Sequence, residues 1–314
     1  MLYPFIKIWV RLALQIFCRG VHISGQKALS LPGPLLITAN HPNSFLDAII
    51  IGSTFKHPVH FLARGDAFKK PWHAKLLHIL NMIPIYRISE GMENLHLNEY
   101  AFLKCKEILS QNGIVLIFIE GISVHKHELQ PFKKGAARIV LENKENPALQ
   151  ILPLAIAYDS FTDFGKTVNI NICKPIPVAS LFPFSEDVKN TQQFNQLILD
   201  QLQNNRVIPT KQLSIKMRIK LLLLIPGLIG YMIHFPVYSL LKYFVQYKTR
   251  GTIFFDSVLF GLLLFTYPLY VVLIILLLSL GKIPGLLLLI VFFFLPFTAW
   301  CAVKIKGVNN LRRF

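Results

Sequence analysis

The residues best suited to chemistry in this chain lie in one short stretch, Asn40–Asp47, which reads NHPNSFLD. The stretch follows an apolar run, Leu35–Ala39, whose length and composition are typical of a buried strand. Pro42 disfavours helical backbone at the residue before it, so the strand is predicted to end at His41. A helix is predicted to follow, which places His41 on the turn and Asp47 in or near the first helical turn.

A histidine and a carboxylate at this spacing can together form a general base. On one continuous helix residues six apart would point to different faces, whereas a turn lets Asp47 reach back to the imidazole of His41. The carboxylate then fixes the tautomer of the ring and stabilises the imidazolium that forms. We expect Asn43 or Ser44 to cap the helix that carries Asp47. The alternative is a histidine that merely satisfies a turn.

The charge and hydrophobicity of the chain indicate which kind of molecule or surface it binds. The chain has 314 residues, a net charge of +17 and a hydrophobic fraction of 53%, and most of the apolar excess lies after Leu221. A basic, apolar chain suggests either nucleic acid or an anionic membrane surface, and the apolar tail favours the membrane, so we expect no nucleic acid partner. The cysteines are scattered without a C-x-x-C pair, which suits a reducing compartment and argues against zinc: Cys18, Cys105, Cys173 and Cys301.

Both ends of the chain are predicted to meet the membrane. Residues 1–17 are apolar with Lys7 and Arg11 inside the run, whereas a signal peptide would carry its charges before the apolar core. An interfacial helix is therefore predicted over residues 1–20, the alternative being a buried N-terminal helix. Residues 211–314 form a hydrophobic C-terminal region. Within it, residues 257–280 and 286–303 carry no charge and are separated by a tight turn, which predicts a transmembrane helical hairpin.

The orientation follows from the charges that flank this hairpin. Its outer flanks are basic, whereas the turn holds one lysine, Lys282; the flanking residues include Lys248, Arg250, Lys304, Lys306, Arg312 and Arg313. The positive-inside rule therefore places the domain before the hairpin in the cytoplasm. The segment Leu221–Val245 is apolar but interrupted by Pro226 and Pro236, so its pattern leaves open whether it spans the bilayer, lies in the interface or is re-entrant.

Residues 21–210 alternate between strand-like and helix-like segments, which indicates an α/β domain with a central mixed sheet flanked by helices. Strands are predicted at Leu35–Ala39, Val59–Ala63, Ile83–Tyr86, Ile114–Ile119, Gln150–Ala157 and Thr167–Ile172, and helices at Phe45–Thr54, Ala67–Leu80, Glu93–Ser110, Gly135–Asn143 and Glu186–Asn204. Sites in such domains form where strands end and loops enter helices. His41, Arg64, Arg87 and Glu120 all occupy such positions, which predicts one shared site.

The other strand-end loops suggest an anionic substrate. Arg87 follows an apolar strand and suits a phosphate or carboxylate, the alternative being a surface cation. At Glu120-Gly121 the glycine permits close backbone approach to a ligand while the carboxylate takes a hydroxyl. Lys133 precedes a helix whose N-terminus could add to an anion site. The two histidines His125 and His127 have no cysteine or acidic residue nearby that could complete a metal site, so no metal is predicted.

Four blocks in order resemble the glycerol-3-phosphate/lysophosphatidate acyltransferase superfamily, over roughly residues 23–176. The first is Asn40-His41 with Asp47, the N-H-x4-D block. The second is Asn81–Arg87. The third is Phe118–Gly121, which corresponds to the usual family motif F-P-E-G-T-R. In this chain Ile119 replaces the proline, Ile122 the threonine and Ser123 the arginine of that motif. The fourth is Leu152-Pro153-Leu154. The continuation to Gly135 is similar to the branch that acylates glycerol-3-phosphate or dihydroxyacetone phosphate, where a hydrophobic C-terminal extension also occurs.

The resemblance implies a reaction and roles for the residues. His41 would deprotonate the acceptor hydroxyl, which attacks the acyl thioester directly, and Asp47 would orient His41, with no acyl-enzyme. Arg87 and Glu120-Gly121 would hold a phosphorylated glycerol, with Arg64 and Lys133 as secondary phosphate ligands. It implies acyl-CoA or acyl-carrier protein as co-substrate and no cofactor. The alternatives are an acyltransferase for another lysophospholipid or lipid acceptor, and a non-catalytic lipid-binding protein of the same fold.

Overall fold

A computed structural model of the chain describes residues 2–86, 96–181, 186–209 and 217–305. The helices in these ranges are α1 (Leu2–Phe17), α2 (Ser44–Thr54), α3 (Pro71–Ile79), α4 (Asn98–Ser110), α5 (Gly135–Leu141), α6 (Asp187–Asn205), α7 (Met217–Lys248), α8 (Phe255–Leu280) and α9 (Gly285–Ile305). The strands are β1 (Cys18–Ser24), β2 (Leu35–Ala39), β3 (Val59–Arg64), β4 (Met82–Ile85), β5 (Ile114–Phe118), β6 (Gln150–Tyr158), β7 (Lys166–Ile172) and β8 (Ile176–Pro177).

The strands form one mixed sheet, as predicted, in the order β1-β7-β6-β2-β5-β3-β4, with β8 paired to β6. Strands β2 to β6 run parallel to their neighbours within this group, whereas β7 and β8 are antiparallel to β6. β2 lies between β5 and β6, so its carboxyl end is flanked by the carboxyl ends of two other parallel strands. That edge is where loops leading into helices can form a site.

Each face of the sheet carries its own hydrophobic core because successive strand residues point to opposite faces. In β2, Leu35, Ile37 and Ala39 pack with α1, α2 and the start of α8, whereas Leu36 faces α4, α5 and α6. Helix α2, which carries Asp47, therefore lies on the same face of the sheet as α1 and the first turns of α8.

The N-terminal helix α1 has two distinct faces. Its outer face is a stripe of exposed apolar side chains at helical spacing, as an interfacial helix requires: Phe5, Ile8, Trp9 and Leu12. Its two cations, however, donate hydrogen bonds to the protein itself. The Lys7 Nζ donates to the carbonyl oxygens of Phe55 and Lys56, and Arg11 Nε donates to the Ser53 carbonyl at 2.5 Å. They thus satisfy carbonyls at the C-terminal end of α2, the end at which a positive charge is stabilising.

The part of the C-terminal region that the structure describes, residues 217–305, contains three helices long and apolar enough to cross a membrane: Leu221–Lys248, Phe255–Leu280 and Gly285–Ile305. The last two correspond to the predicted hairpin, and α7 adds a third candidate span despite its two internal prolines. α7 packs tightly on α9 at two glycines. A Cβ at Gly230 would lie 2.2 Å from the Thr298 carbonyl oxygen, so only glycine permits this approach of the two helices.

The elements of the structure differ from the predicted ones in places. The helix predicted at Ala67–Leu80 is instead a 3-10 turn, Gly65–Phe68, followed by α3, because Pro71 lacks the N–H of a helix interior and fits the first helical position. Strand β1 was not predicted, since its alternation of Cys18–Ser24 is weak and it pairs with β7, a strand distant in sequence. The beginning of the helix predicted at Glu93–Ser110 lies outside the described residues.

Candidate active site

The carboxyl ends of β2, β5 and β6 meet at one edge of the sheet and bring three of the four sequence blocks together. Asn40, directly after β2, fixes the junction. Its side-chain amide donates to the Ile156 carbonyl at 2.9 Å and its Oδ1 accepts the Ile156 N–H at 2.8 Å, so the buried side chain continues the pairing of β2 with β6. The next residue, His41, is thereby placed at a defined point above the sheet.

The predicted contact between His41 and Asp47 is present. His41 Nδ1 lies 2.9 Å from Asp47 Oδ2, and the carboxylate is fully buried. Because an ionised carboxylate only accepts, Nδ1 carries the proton, and Nε2 is the nitrogen left with a lone pair. The imidazole also stacks on the Phe118 ring, with centroids 3.7 Å apart and planes 9° from parallel. Both the tautomer and the plane of the ring are therefore determined.

Asp47 is held by two further donors. The backbone N–H of Asn43 donates to Oδ2 at 2.7 Å, and the Tyr158 hydroxyl donates to Oδ1 at 2.6 Å. Tyr158 is fully buried at the end of β6 and was not among the predicted site residues. Burial, and then the adjacent Asp47 carboxylate, hold the pKa of Tyr158 well above its ordinary value, so the hydroxyl remains a donor. The sequence signal was a polar aromatic residue closing the strand of the fourth block.

We expect Tyr158→Phe to lower the rate of any reaction in which His41 acts as the base about tenfold. The substitution keeps the ring but leaves Asp47 Oδ1 without the hydroxyl donor, and a hydrogen bond to a charged group contributes about 1.5–3 kcal/mol. The carboxylate would then hold His41 less rigidly. Steady-state rates on purified protein measure the effect. Tyr100→Phe, at an exposed tyrosine of α4, is the matched control; equal rates in the two variants would contradict the role given to Tyr158.

Glu120 is buried directly behind His41. Its Oε2 accepts the backbone N–H of His41 at 3.1 Å and its Oε1 accepts the backbone N–H of Gln130 at 3.0 Å. Burial raises the pKa of Glu120, an effect that the two backbone donors oppose. The predicted role of Glu120 was to receive a substrate hydroxyl. Its contacts instead join the loop after β5 to the histidine backbone, which favours a role in positioning His41.

The first turn of α2 has an unusual conformation and distant partners. Ser44 has a φ of 52°, in the left-handed region that residues other than glycine rarely adopt. Its backbone N–H donates to Ser123 Oγ at 2.8 Å, and the N–H of Leu46 donates to Ser257 Oγ at 3.0 Å. Asn43 occupies the predicted N-cap position, but its side chain makes no capping hydrogen bond to the helix. Serines from two remote segments satisfy these amides instead.

The predicted phosphate ligands have different surroundings. Gly121 has a φ of 64°, and a Cβ there would lie 2.8 Å from Lys133 Cγ, so the glycine accommodates the lysine stem. Lys133 itself is exposed. Arg64 ends β3, two strands from β2, and its guanidinium binds the Asp66 carboxylate at 2.5 Å. Arg87 lies outside the described residues.

The two histidines of the Val124–His127 segment lie against an aromatic ring. His125 stacks on the Phe161 ring with centroids 5.2 Å apart, and His127 lies against the same ring at 4.9 Å. Among the residues that the structure describes, no group of three or more His, Cys, Asp or Glu side chains is arranged to hold a metal ion. A surface cleft of about 420 Å³ between α5 and α6, lined by Arg138 and Asp187 among others, contains none of the predicted site residues.

Comparison with known proteins finds a family match over the residues that carry this site. Residues 20–157 match the sequence model of the acyltransferase family, a range that includes Asn40, His41, Asp47 and Glu120. A solved structure, the 1-acyl-sn-glycerophosphate acyltransferase PlsC from Thermotoga maritima, is similar at 16% sequence identity with a TM-score of 0.48, covering 64% of this chain and 77% of that one. No curated protein sequence matches the chain. The match to the acyltransferase family model covers residues 20–157, and the His41–Asp47 pair lies within it.

Proposed function

We propose that this protein transfers a fatty acyl group from acyl-CoA or acyl-carrier protein to the hydroxyl of glycerol-3-phosphate or 1-acylglycerol-3-phosphate. One observation carries the proposal. Within the acyltransferase domain, a fully buried Asp47 accepts the Nδ1 proton of His41, which leaves Nε2 as the base for an acceptor hydroxyl.

The reaction needs no covalent intermediate with the protein. His41 Nε2 takes the hydroxyl proton as the acceptor oxygen attacks the thioester carbonyl, and Asp47 stabilises the imidazolium that results. The carbon–sulfur bond then breaks, and the leaving thiolate takes the proton from the imidazolium. The products are an ester and a free thiol, and the histidine returns to its neutral state. We propose that the enzyme uses no metal and no cofactor beyond the acyl-carrying co-substrate.

The acceptor phosphate would be bound by cations at the same edge of the sheet. Arg87 is the first candidate, with Arg64 and Lys133 as secondary ligands and Gly121 permitting close approach of the backbone. Glu120 would act mainly by holding the backbone of His41, given its two backbone donors.

An alternative acceptor, another lysophospholipid or lipid, is favoured by two observations. Arg64 is bound to Asp66, which reduces its availability for a phosphate. Ser123 stands where the related motif has an arginine, and its hydroxyl is used to cap α2. Both reduce the positive charge offered to a phosphate monoester.

The membrane placement agrees with a lipid product. Ser257 and the catalytic helix are in hydrogen-bond contact, and Ser257 lies in the first turn of a candidate span, which favours a site at the level of the lipid head groups. We propose a membrane-interface helix at residues 1–20, an acyltransferase domain at 21–210 that faces the cytoplasm, and a membrane region at 211–314. Labelling of a cysteine placed at Lys282 from the cytoplasmic side alone would contradict this orientation.

The acceptor is tested with the purified protein in phospholipid nanodiscs. Each reaction contains one acyl donor and one acceptor: glycerol-3-phosphate, 1-acylglycerol-3-phosphate or lysophosphatidylcholine, and empty nanodiscs give the background. We expect turnover with a phosphate monoester. Turnover with lysophosphatidylcholine alone would establish the alternative acceptor. No turnover with any acceptor, with acyl-CoA or with acyl-carrier protein, would overturn the enzymatic function and favour a lipid-binding protein.

A further inference from the structure

The start of α8, which lies outside the residues that match the family, reaches into the turn that carries His41 and Asp47. Asp256 Oδ2 accepts the side-chain amide of Asn43 at 2.8 Å, and the same oxygen is bound by Lys166 Nζ. All three side chains are buried. Asp256 is also the only acidic residue in α8, a helix otherwise composed of uncharged side chains.

A buried ion pair seldom accounts for its own presence by stability alone. Removing two charges from water costs several kcal/mol per ion, and well-packed apolar residues in the same space are often equally stable or more so. Lys166 extends from β7 to the start of a candidate membrane span and meets a carboxylate there. What distinguishes this pair is that the Asp256 oxygen also accepts a hydrogen bond from the catalytic turn.

Asn43 connects the pair to the reacting groups. While its side chain is held by Asp256, its backbone N–H donates to Asp47 Oδ2 at 2.7 Å, the same oxygen that receives the His41 Nδ1 proton. The adjacent residue, Ser44, has the left-handed backbone described above, so the turn depends on tertiary partners to keep its shape. Asp256 is therefore linked to the imidazole of His41 through two intervening residues, Asn43 and Asp47.

We propose that Asp256 is a positioning residue of the acyltransferase site, which holds the Asp47 carboxylate against His41 through Asn43. The C-terminal membrane region is then part of the catalytic apparatus as well as an anchor. This inference rests on the proposed function for its kinetic test. It has a separate structural test that needs no turnover.

The sharpest variant removes both members of the ion pair. Asp256→Ala alone leaves the Lys166 charge buried and can unfold the protein, whereas Asp256→Ala combined with Lys166→Met contains no unpaired charge. Asn43 still lacks its acceptor in the double variant. We expect kcat to fall about ten- to a hundredfold, the range that displacement of a catalytic group produces, with little change in the KM for the acceptor.

A second variant removes the donor of the hydrogen bond between Asn43 and Asp256. Asn43→Ala removes the amide and leaves Asp256 paired with Lys166, so the ion pair is intact while the link to the turn is lost. We expect the same fall in kcat. Asp200→Ala, at an exposed carboxylate of α6, is the control.

The structural test is hydrogen–deuterium exchange of the full-length protein in nanodiscs. In the double variant and in Asn43→Ala we expect exchange to accelerate about tenfold in peptides that cover residues 43–47, because the Asn43 N–H bond to Asp47 is weakened, while peptides of β2 and β5 remain protected. If the wild type turns over no acceptor but this local acceleration is seen, the proposed function fails and the positioning role stands. Unchanged exchange at residues 43–47, or a double variant with wild-type kcat, would show that Asp256 only neutralises Lys166.

Discussion

Asp47→Asn is expected to lower kcat for acyl transfer about a thousandfold, with little change in the KM for the acceptor. Asparagine has nearly the same shape, so the packing around α2 is retained. The amide, however, supplies no negative charge to stabilise an imidazolium. It can also present N–H donors to His41 Nδ1, which would move the ring proton to Nε2, the nitrogen that must accept the proton of the acceptor hydroxyl.

The variant is compared with Asp200→Asn, which carries the same change at an exposed carboxylate of α6. Both are purified in nanodiscs and checked for thermal unfolding before kinetic measurement. Because the Asp47 carboxylate also accepts hydrogen bonds from the Asn43 backbone N–H and the Tyr158 hydroxyl, a modest loss of stability is expected alongside the kinetic effect. A rate for Asp47→Asn within about threefold of the wild type would show that the imidazole needs no charged partner, and the general-base assignment would fail.

The contact between His41 and Asp47 could be predicted from sequence because it is local. An apolar strand, a proline that ends it and a helix that follows determine the turn, and the two residues are only six positions apart. The order of strand-like and helix-like segments likewise indicated an α/β sheet, since each strand in the core alternates between two buried faces. The convergence of Glu120 on His41 followed from both residues lying at the carboxyl ends of parallel strands.

The partners of the turn could not be predicted in this way because they are remote. Tyr158 is 111 positions from Asp47, Asp256 is 213 from Asn43, and Ser257 is 211 from Leu46. Each is a common residue type in an unremarkable local sequence. Only the folded sheet, with α8 packed on the same face as α2, brings them to the first turn of α2.

The cations of the N-terminal helix illustrate the same limit. Lys7 and Arg11 within an apolar run indicated an interfacial helix, and the exposed stripe of α1 agrees with that reading. Their destination, the carbonyls at the end of α2, depends on α1 lying beside α2. Helix α2 is thus held at its C-terminal end by α1 and near its N-terminal end by α8, so two apolar helices fix its position.

His41→Ala tests the central claim most directly, because it removes the base itself. The imidazole is stacked on Phe118 at a partly exposed position, so its loss is expected to disturb the fold less than the loss of a core residue. General-base catalysis contributes about 100- to 10,000-fold, and Nε2 is the proton acceptor assigned to this reaction.

The measurement is acyl transfer by wild type, His41→Ala and His22→Ala in nanodiscs, with glycerol-3-phosphate and 1-acylglycerol-3-phosphate offered separately; His22 is an exposed histidine of β1 and serves as the control. The account predicts that wild type and His22→Ala turn over one of the acceptors equally, while His41→Ala is about a thousandfold slower. Equal rates in His41→Ala and the wild type would contradict it.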